Sequence, residues 1–178
     1  MRTALRLTAT AGLLATTLAT GAVAASAASA APSVARTPSI STLVARCTGS
    51  VITVRTSAKA RLVTELNCVR RVAGESSLRV STSVGTVATG WTRQIAANGA
   101  LSHNPALYNQ VTAAAPDWTN SGETVGTSPT TVDMLVAAYM HSTEHREIIL
   151  DPSLHVVGIG LMRVNGALWN TLDLVDRV

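Results

Sequence analysis

Residues 137–162 read AAYMHSTEHREIILDPSLHVVGIGLM, and the parsing of this stretch decides what kind of domain the chain forms. His141, Glu144 and His145 spell H-x-x-E-H, the spacing of a zinc peptidase read in reverse. On one continuous helix the two histidines would project from the same face, with the glutamate beside them as general base. Ser142 and Thr143 argue against that continuity. Both are strong N-cap residues placed directly after an apolar stripe, and Glu144 suits the positive first turn of a new helix. One helix ending near His141 and another beginning at Ser142 would send the two imidazoles in different directions. Catalytic zinc also needs a third protein ligand, in such peptidases usually an acid on a later helix, and beyond Glu147 no further glutamate follows. The peptidase reading fails, and His141 becomes a helix-end residue.

Outward from this stretch the pattern changes period. On its C-terminal side HVVGIGLMRV, the turn pair Asn165-Gly166 and ALWNTLDLV predict a β-hairpin. On its N-terminal side Ser128 with Pro129 predicts the start of a helix that buries Leu135, Ala138 and Tyr139. Residues 101–127 carry Asn-Pro, Pro-Asp, Ser-Gly and Val-Gly steps and are expected to be irregular, apart from one short helical turn over 106–111. Such long irregular segments in a compact domain tend to be functional. Further upstream, Ser57 caps a predicted helix through Arg71, with Leu62, Leu66, Val69 and Ala73 on one face and Gly74 as its stop. A second helix is predicted from Ser81 to Asn98, with Val84, Val87, Ala88, Trp91 and Ile95 on its stripe and Gly99 at its end. Helices first and antiparallel strands last predict an α+β domain, with helices packed around a small, mainly antiparallel sheet.

The chain before Ser57 reads differently. Arg2 and Arg6 precede a stretch without charge that lasts until Arg36, and Ala28-Ser29-Ala30 offers a small-x-small cleavage pattern. Residues 1–30 are therefore expected to be a secretory signal, too rich in Ala, Thr, Ser and Gly for a membrane anchor. Residues 31–56 are expected to be a lead-in with little periodic signal apart from a possible strand, SVITVRT, and residues 57–178 the folded domain. Without Arg2 and Arg6, 12 basic residues face 10 acidic ones, a net +2 that does not suit a nucleic-acid binder. The basic residues cluster nonetheless: Arg36 to Arg79 holds eight of them against Glu65 and Glu75. That cluster is either a solvated helix face or a surface for an anionic envelope polymer or lipid. Cys47 and Cys68 are the only cysteines, and an exported chain would oxidise them to a disulfide.

Taken in order, four segments carry a family resemblance. LVTELNCVRRVAGESSLRV is similar to LVNxxRxxxGLxxLxx, and GWTRQIAANGALSHNP to a helix ending in Ser-His. PDWTNSGETVG is similar to a GENxG segment, and AAYMHSTEHREIILDPSLHVVGIGLM to AWMxSPGHRxNILxPxFTxVGVGxA. In this order the chain resembles the CAP superfamily (cysteine-rich secretory proteins, antigen 5 and plant pathogenesis-related proteins), specifically its small exported SCP-like bacterial branch. The likeness runs from about Ala60 to Leu174. It implies a CAP-type α-β-α sandwich with a cleft lined by two histidines and one or two acids. Carried over, His103, Glu123 and His145 are the candidate site residues, and the second acid of animal and plant members falls near Ser142. In some members the histidine pair holds a divalent ion such as zinc, for which His103 and His145 are the candidate ligands here with Glu123 nearby. A metal-dependent hydrolytic role has been proposed within the family, and other members bind sterols or fatty acids.

The departures from the pattern bear on the cleft. Thr124 stands in place of the asparagine after the glutamate, Tyr139 in place of tryptophan, and Ser142-Thr143-Glu144 in place of Ser-Pro-Gly before the second histidine. His155 is expected at a strand end on the surface, and Arg146 either beside an acid or in solvent. Three functions remain open: a monomeric exported protein that binds an extracellular partner or cell-envelope component, a metal-dependent hydrolase using His103, Glu123 and His145, and a lipid carrier. The last needs an apolar groove, against which no Phe, three Trp and two Tyr argue.

Overall fold

Asn165 and Gly166 both hold positive φ, 49° and 82°, the type I′ turn geometry that matches the twist of paired strands. The strands they join, β3 (Val156–Val164) and β4 (Ala167–Val175), form the centre of the sheet. The computed structural model describes residues 38–49 and 57–178; the expected signal segment and the expected strand SVITVRT lie outside the described residues. β1 (Arg79–Val80) pairs parallel to β3, and β2 (Ser121–Ser128) pairs antiparallel to β4 over eight residues, giving the order β1-β3-β4-β2.

Among the described residues six helices cover the two faces: α1 (Ile40–Cys47), α2 (Ala58–Ala73), α3 (Thr82–Asn98), α4 (Leu107–Ala114), α5 (Val132–His141) and α6 (Thr143–Ile149). Residue alternation along the strands divides the core accordingly. Val157, Ile159, Leu168, Leu172 and Leu174 bury against α1, α2, α5 and α6, including Leu43, Leu66, Leu135, Tyr139 and Ile149. Val156 and Val175 point the other way and pack with Val84 of α3 and Val111 of α4. This is the expected α+β sandwich, a mixed four-stranded sheet between two helical layers.

Glycines set how closely the layers approach. A Cβ on Gly158 would overlap the Val84–Gly85 backbone, and one on Gly160 the Ala88 carbonyl, so α3 lies directly on β3. On the opposite face a Cβ on Gly126 would meet the Tyr139 ring at 2.7 to 2.9 Å. That face also holds Arg70, which is completely buried. Its guanidinium donates to the carbonyls of Ser76 at 2.6 Å, Ile149 at 2.7 Å, and Asp151 and Leu154 at 3.0 Å, tying the end of α2 to the turn between α6 and β3.

Where sequence pattern and structure differ, tertiary pairing decides. The lead-in contains α1, capped by Ser39; Leu43 and Cys47 are 2% and 3% exposed, and Cys47 is bonded to Cys68 of α2 with the Cα atoms 5.5 Å apart. The segment expected to be irregular contains all of β2 but its last residue, held by its ladder to β4, and a helix of eight residues where one turn was expected. Ser128 continues β2 rather than capping a helix, so α5 starts at Val132, with the Thr131 hydroxyl accepting from the Met134 amide. The basic cluster is not one face. Arg70 is interior, and Arg61 is engaged by Glu65 at 2.8 Å and by Asp133. Arg36 and Arg55 lie outside the described residues.

Candidate functional site

Gly99 ends α3 in the left-handed region at φ 65°, and the chain turns back along the sheet edge. Trp91 pins this return by donating its indole N–H to the Ser102 carbonyl at 2.8 Å. Asn104 fixes the start of α4: its side chain accepts from the Ala106 amide at 3.0 Å and donates to Gln110 Oε1 at 3.0 Å. Between these anchors His103 stands with its side chain 65% exposed, its Nδ1 2.7 Å from Glu123 Oε1. The same Oε1 accepts the Asn104 amide at 2.9 Å, so it acts as acceptor towards both neighbours and the proton of the imidazole contact sits on Nδ1. His103 therefore presents Nε2 away from the carboxylate, and Glu123, 5% exposed on β2, is its buried backing group.

His145 arrives from the other helical layer. Ser142 ends α5 and its hydroxyl accepts the His145 amide at 3.4 Å, so one residue closes one helix and opens the next. The helix break expected in H-x-x-E-H is present: His141 is the exposed last residue of α5, while His145 lies one turn into α6. Its ring meets Tyr139 edge-on, centroids 5.2 Å apart at 77°. Burial and the neighbouring His103 hold its pKa below the ordinary histidine value, with Glu144 opposing them. Burial thus favours the neutral form of the His145 ring.

The departures from the family pattern find definite places. Tyr139 is buried, and its hydroxyl donates to Asn170 Oδ1 at 2.7 Å; burial raises its pKa. Asn170 in turn donates to the Gly160 carbonyl. Thr124 is wholly buried on the face that carries Tyr139, whereas Glu144 is exposed. Among the described residues Arg146 pairs with no acid: it donates to the Met140 carbonyl at 2.8 Å and so caps α5. His155 is exposed, 3.3 Å from the Ser76 hydroxyl.

The donor set can be tested against a resident metal. A histidine whose Nδ1–H meets a carboxylate and whose Nε2 is free has half of the arrangement that zinc sites use. The other half is missing. Among the described residues no three His, Cys, Asp or Glu side chains stand together closely enough to hold an ion. Glu123 Oε1 is already doubly hydrogen-bonded, and its Oε2 is buried. Two imidazoles fall one ligand short of a catalytic zinc centre, so the residues do not fit one.

Sequence reasoning missed a further side chain here. Asp173 of β4 is the direct cross-strand partner of Glu123 and only 1% exposed. In LDLV it reads as the solvent side of an alternating strand, and nothing local marks it as interior.

The profile of the family described as "CAP: Cysteine-rich secretory protein family" matches residues 63–168, more than half of the chain. The chain belongs to the CAP family. The CAP fold is found again in an extracellular SCP-domain protein of Bacillus anthracis (TM-score 0.59, 16% identity, 66% of this chain and 39% of that one). It also occurs in a cysteine-rich secretory protein of Staphylococcus aureus (TM-score 0.57, 20% identity, 65% and 37%). An outer surface protein of Borrelia burgdorferi is similar at TM-score 0.59 and 13% identity, over 66% of this chain and 90% of that one. This CAP chain spans about two fifths of the first two proteins, and at these identities the likeness concerns fold. No curated protein sequence matches the chain.

Proposed function

We propose that this CAP-domain protein is exported and works by binding a hydroxyl-bearing cell-envelope polymer, with His103, Glu123 and His145 as the recognition cleft. The observation that carries this reading is the double commitment of Glu123 Oε1 to His103 Nδ1–H and the Asn104 amide. A carboxylate held in this way orients an imidazole rather than attacking a substrate. Among the described residues no serine, threonine or cysteine side chain is hydrogen-bonded to His103 or His145 as a nucleophile would be. The cleft offers His103 Nε2 at the surface and a neutral ring at His145, a pair suited to hydroxyl groups. Export is supported by the Arg-led apolar segment with Ala28-Ser29-Ala30, by the disulfide, and by similar proteins described as extracellular or outer-surface.

Co-sedimentation of the purified protein with insoluble cell-wall polysaccharide tests the reading. The wild type is expected in the pellet and His103→Ala in the supernatant; a wild type that stays in the supernatant overturns it. Zinc titration by calorimetry tests the alternative. No binding is expected at micromolar zinc, and heat that His103→Ala and His145→Ala both abolish would favour the metal-dependent reading instead.

A further inference from the structure

Glu123 and Asp173 face each other across β2 and β4, and the register places Gly158 of β3 on the other side of Asp173. Both carboxyl groups therefore lie on the sheet face covered by α3, where Val84 and Gly85 pack against Gly158 and bring no charge. Directly opposed residues of an antiparallel pair have Cβ atoms about 5 Å apart, which is within reach for the two carboxyl groups. Their hydrogen bonding is lopsided. Glu123 Oε1 has two donors, whereas Glu123 Oε2 and both oxygens of Asp173 have no partner among the described residues. No arginine or lysine pairs with either residue among the described ion pairs; the titratable group that faces them from another element is His103.

Two uncompensated carboxylates in such contact, with Asp173 out of water, carry both a desolvation cost and a like-charge cost. One proton removes both, and it also pairs two of the three orphaned oxygens by turning one of them into a donor. We infer that Asp173 is the positioning residue of the cleft: as a carboxylic acid it donates to Glu123 Oε2, locking Glu123 so that Oε1 holds His103 with Nε2 outward. Burial, followed by the charge and hydrogen bonding of Glu123, pushes the Asp173 pKa up to about 8, in keeping with a group that is protonated at neutral pH. The inference concerns how the proposed binding cleft is set and rests on that reading only for its purpose. The hydrogen-bond chain itself runs from Asp173 through Glu123 to His103 and involves no ligand.

The test is the tautomer of His103 in the full protein, read from ring nitrogen shifts with 15N-histidine labelling. At pH 7 wild type is expected to hold the proton on Nδ1. Asp173→Asn, whose amide can donate to Glu123 Oε2 in place of the acid, is expected to keep that tautomer. Asp173→Val, which has no donor, is expected to shift His103 towards the Nε2–H form. A pH series from 6 to 9 supplies a second readout should the valine variant fail to fold. The wild-type His103 signals are expected to show an alkaline inflection as Asp173 ionises, and Asp173→Asn to lack it. An unchanged tautomer in a folded Asp173→Val, or an inflection equally present in Asp173→Asn, overturns the inference. Neither measurement uses a polymer, so failure of co-sedimentation refutes the proposed function alone.

Discussion

Replacing Arg70 by methionine should be among the most damaging single changes in this protein, although it swaps one long side chain for another. The guanidinium is wholly buried and donates to four backbone carbonyls. Asp151 O keeps a second donor, the Leu154 amide, and Ser76 is exposed enough to recover a water. The Ile149 and Leu154 carbonyls are the ones left buried without their donor. At about 1 to 3 kcal/mol for each unsatisfied buried group, the loss is about 2 to 6 kcal/mol. Relief of the desolvation that depresses the Arg70 pKa offsets part of it, leaving an expected loss of about 3 kcal/mol. Set against total stabilities of about 5 to 15 kcal/mol, that is a large fraction. Urea unfolding followed by tryptophan fluorescence measures it as a lower midpoint at unchanged slope. A loss below about 1 kcal/mol would refute the claim that the buried carbonyls depend on Arg70.

Two further expectations concern the same helical layer and the pH response. Replacing both Cys47 and Cys68 by serine opens a crosslink between residues 21 apart in sequence, which the chain-entropy model values at about 3 kcal/mol; thermal unfolding of the two forms checks it. Burial, and the nearby Asp133, raise Glu65 from 4.5 to about 7 against the opposing pull of Arg61, and Asp173 rises from 3.8 to about 8. Between these values the folded chain keeps protons that the unfolded chain has released, so stability falls as pH rises from about 4 to 8, by at most about 1.4 kcal/mol per pH unit for each group. Unfolding midpoints measured across that range should flatten in part in Glu65→Gln and further in the double variant with Asp173→Asn; a wild-type stability that rises throughout would contradict the assignment.

The readable parts of this fold are those whose signals are local. Gly74 and Gly99 terminate α2 and α3 in the left-handed region, Ser57 and Ser81 cap them, and Asn165-Gly166 makes the hairpin, all as the residues alone dictate. The elements that escaped the sequence are held from outside. SGETVGTS has little strand propensity of its own and becomes β2 because β4 offers it an eight-residue ladder and Tyr139 needs the space over Gly126. The eight residues of α1 are too few to persist alone and are fixed by the burial of Leu43 and by the disulfide. The same limit applies to the proposed cleft. His103, Glu123 and His145 became candidates only through a family pattern, and the structure sets His103 on Glu123. Asp173 and Arg70 carry no pattern, because an isolated Asp in a strand and an isolated Arg on a helix read as solvated until the neighbouring strand or turn is known.

The joint at Ser142 has a consequence for how this protein can vary. That residue ends α5 and caps α6 with no linker between them, so the direction of His145 is counted out residue by residue from the buried Tyr139. One residue inserted there would rotate α6 by about 100° and carry the imidazole off the tyrosine ring to another side of the helix. The joint can therefore accept new side chains, as Thr143 and Glu144 illustrate, but it has no tolerance in length: it works as a gear tooth rather than a hinge.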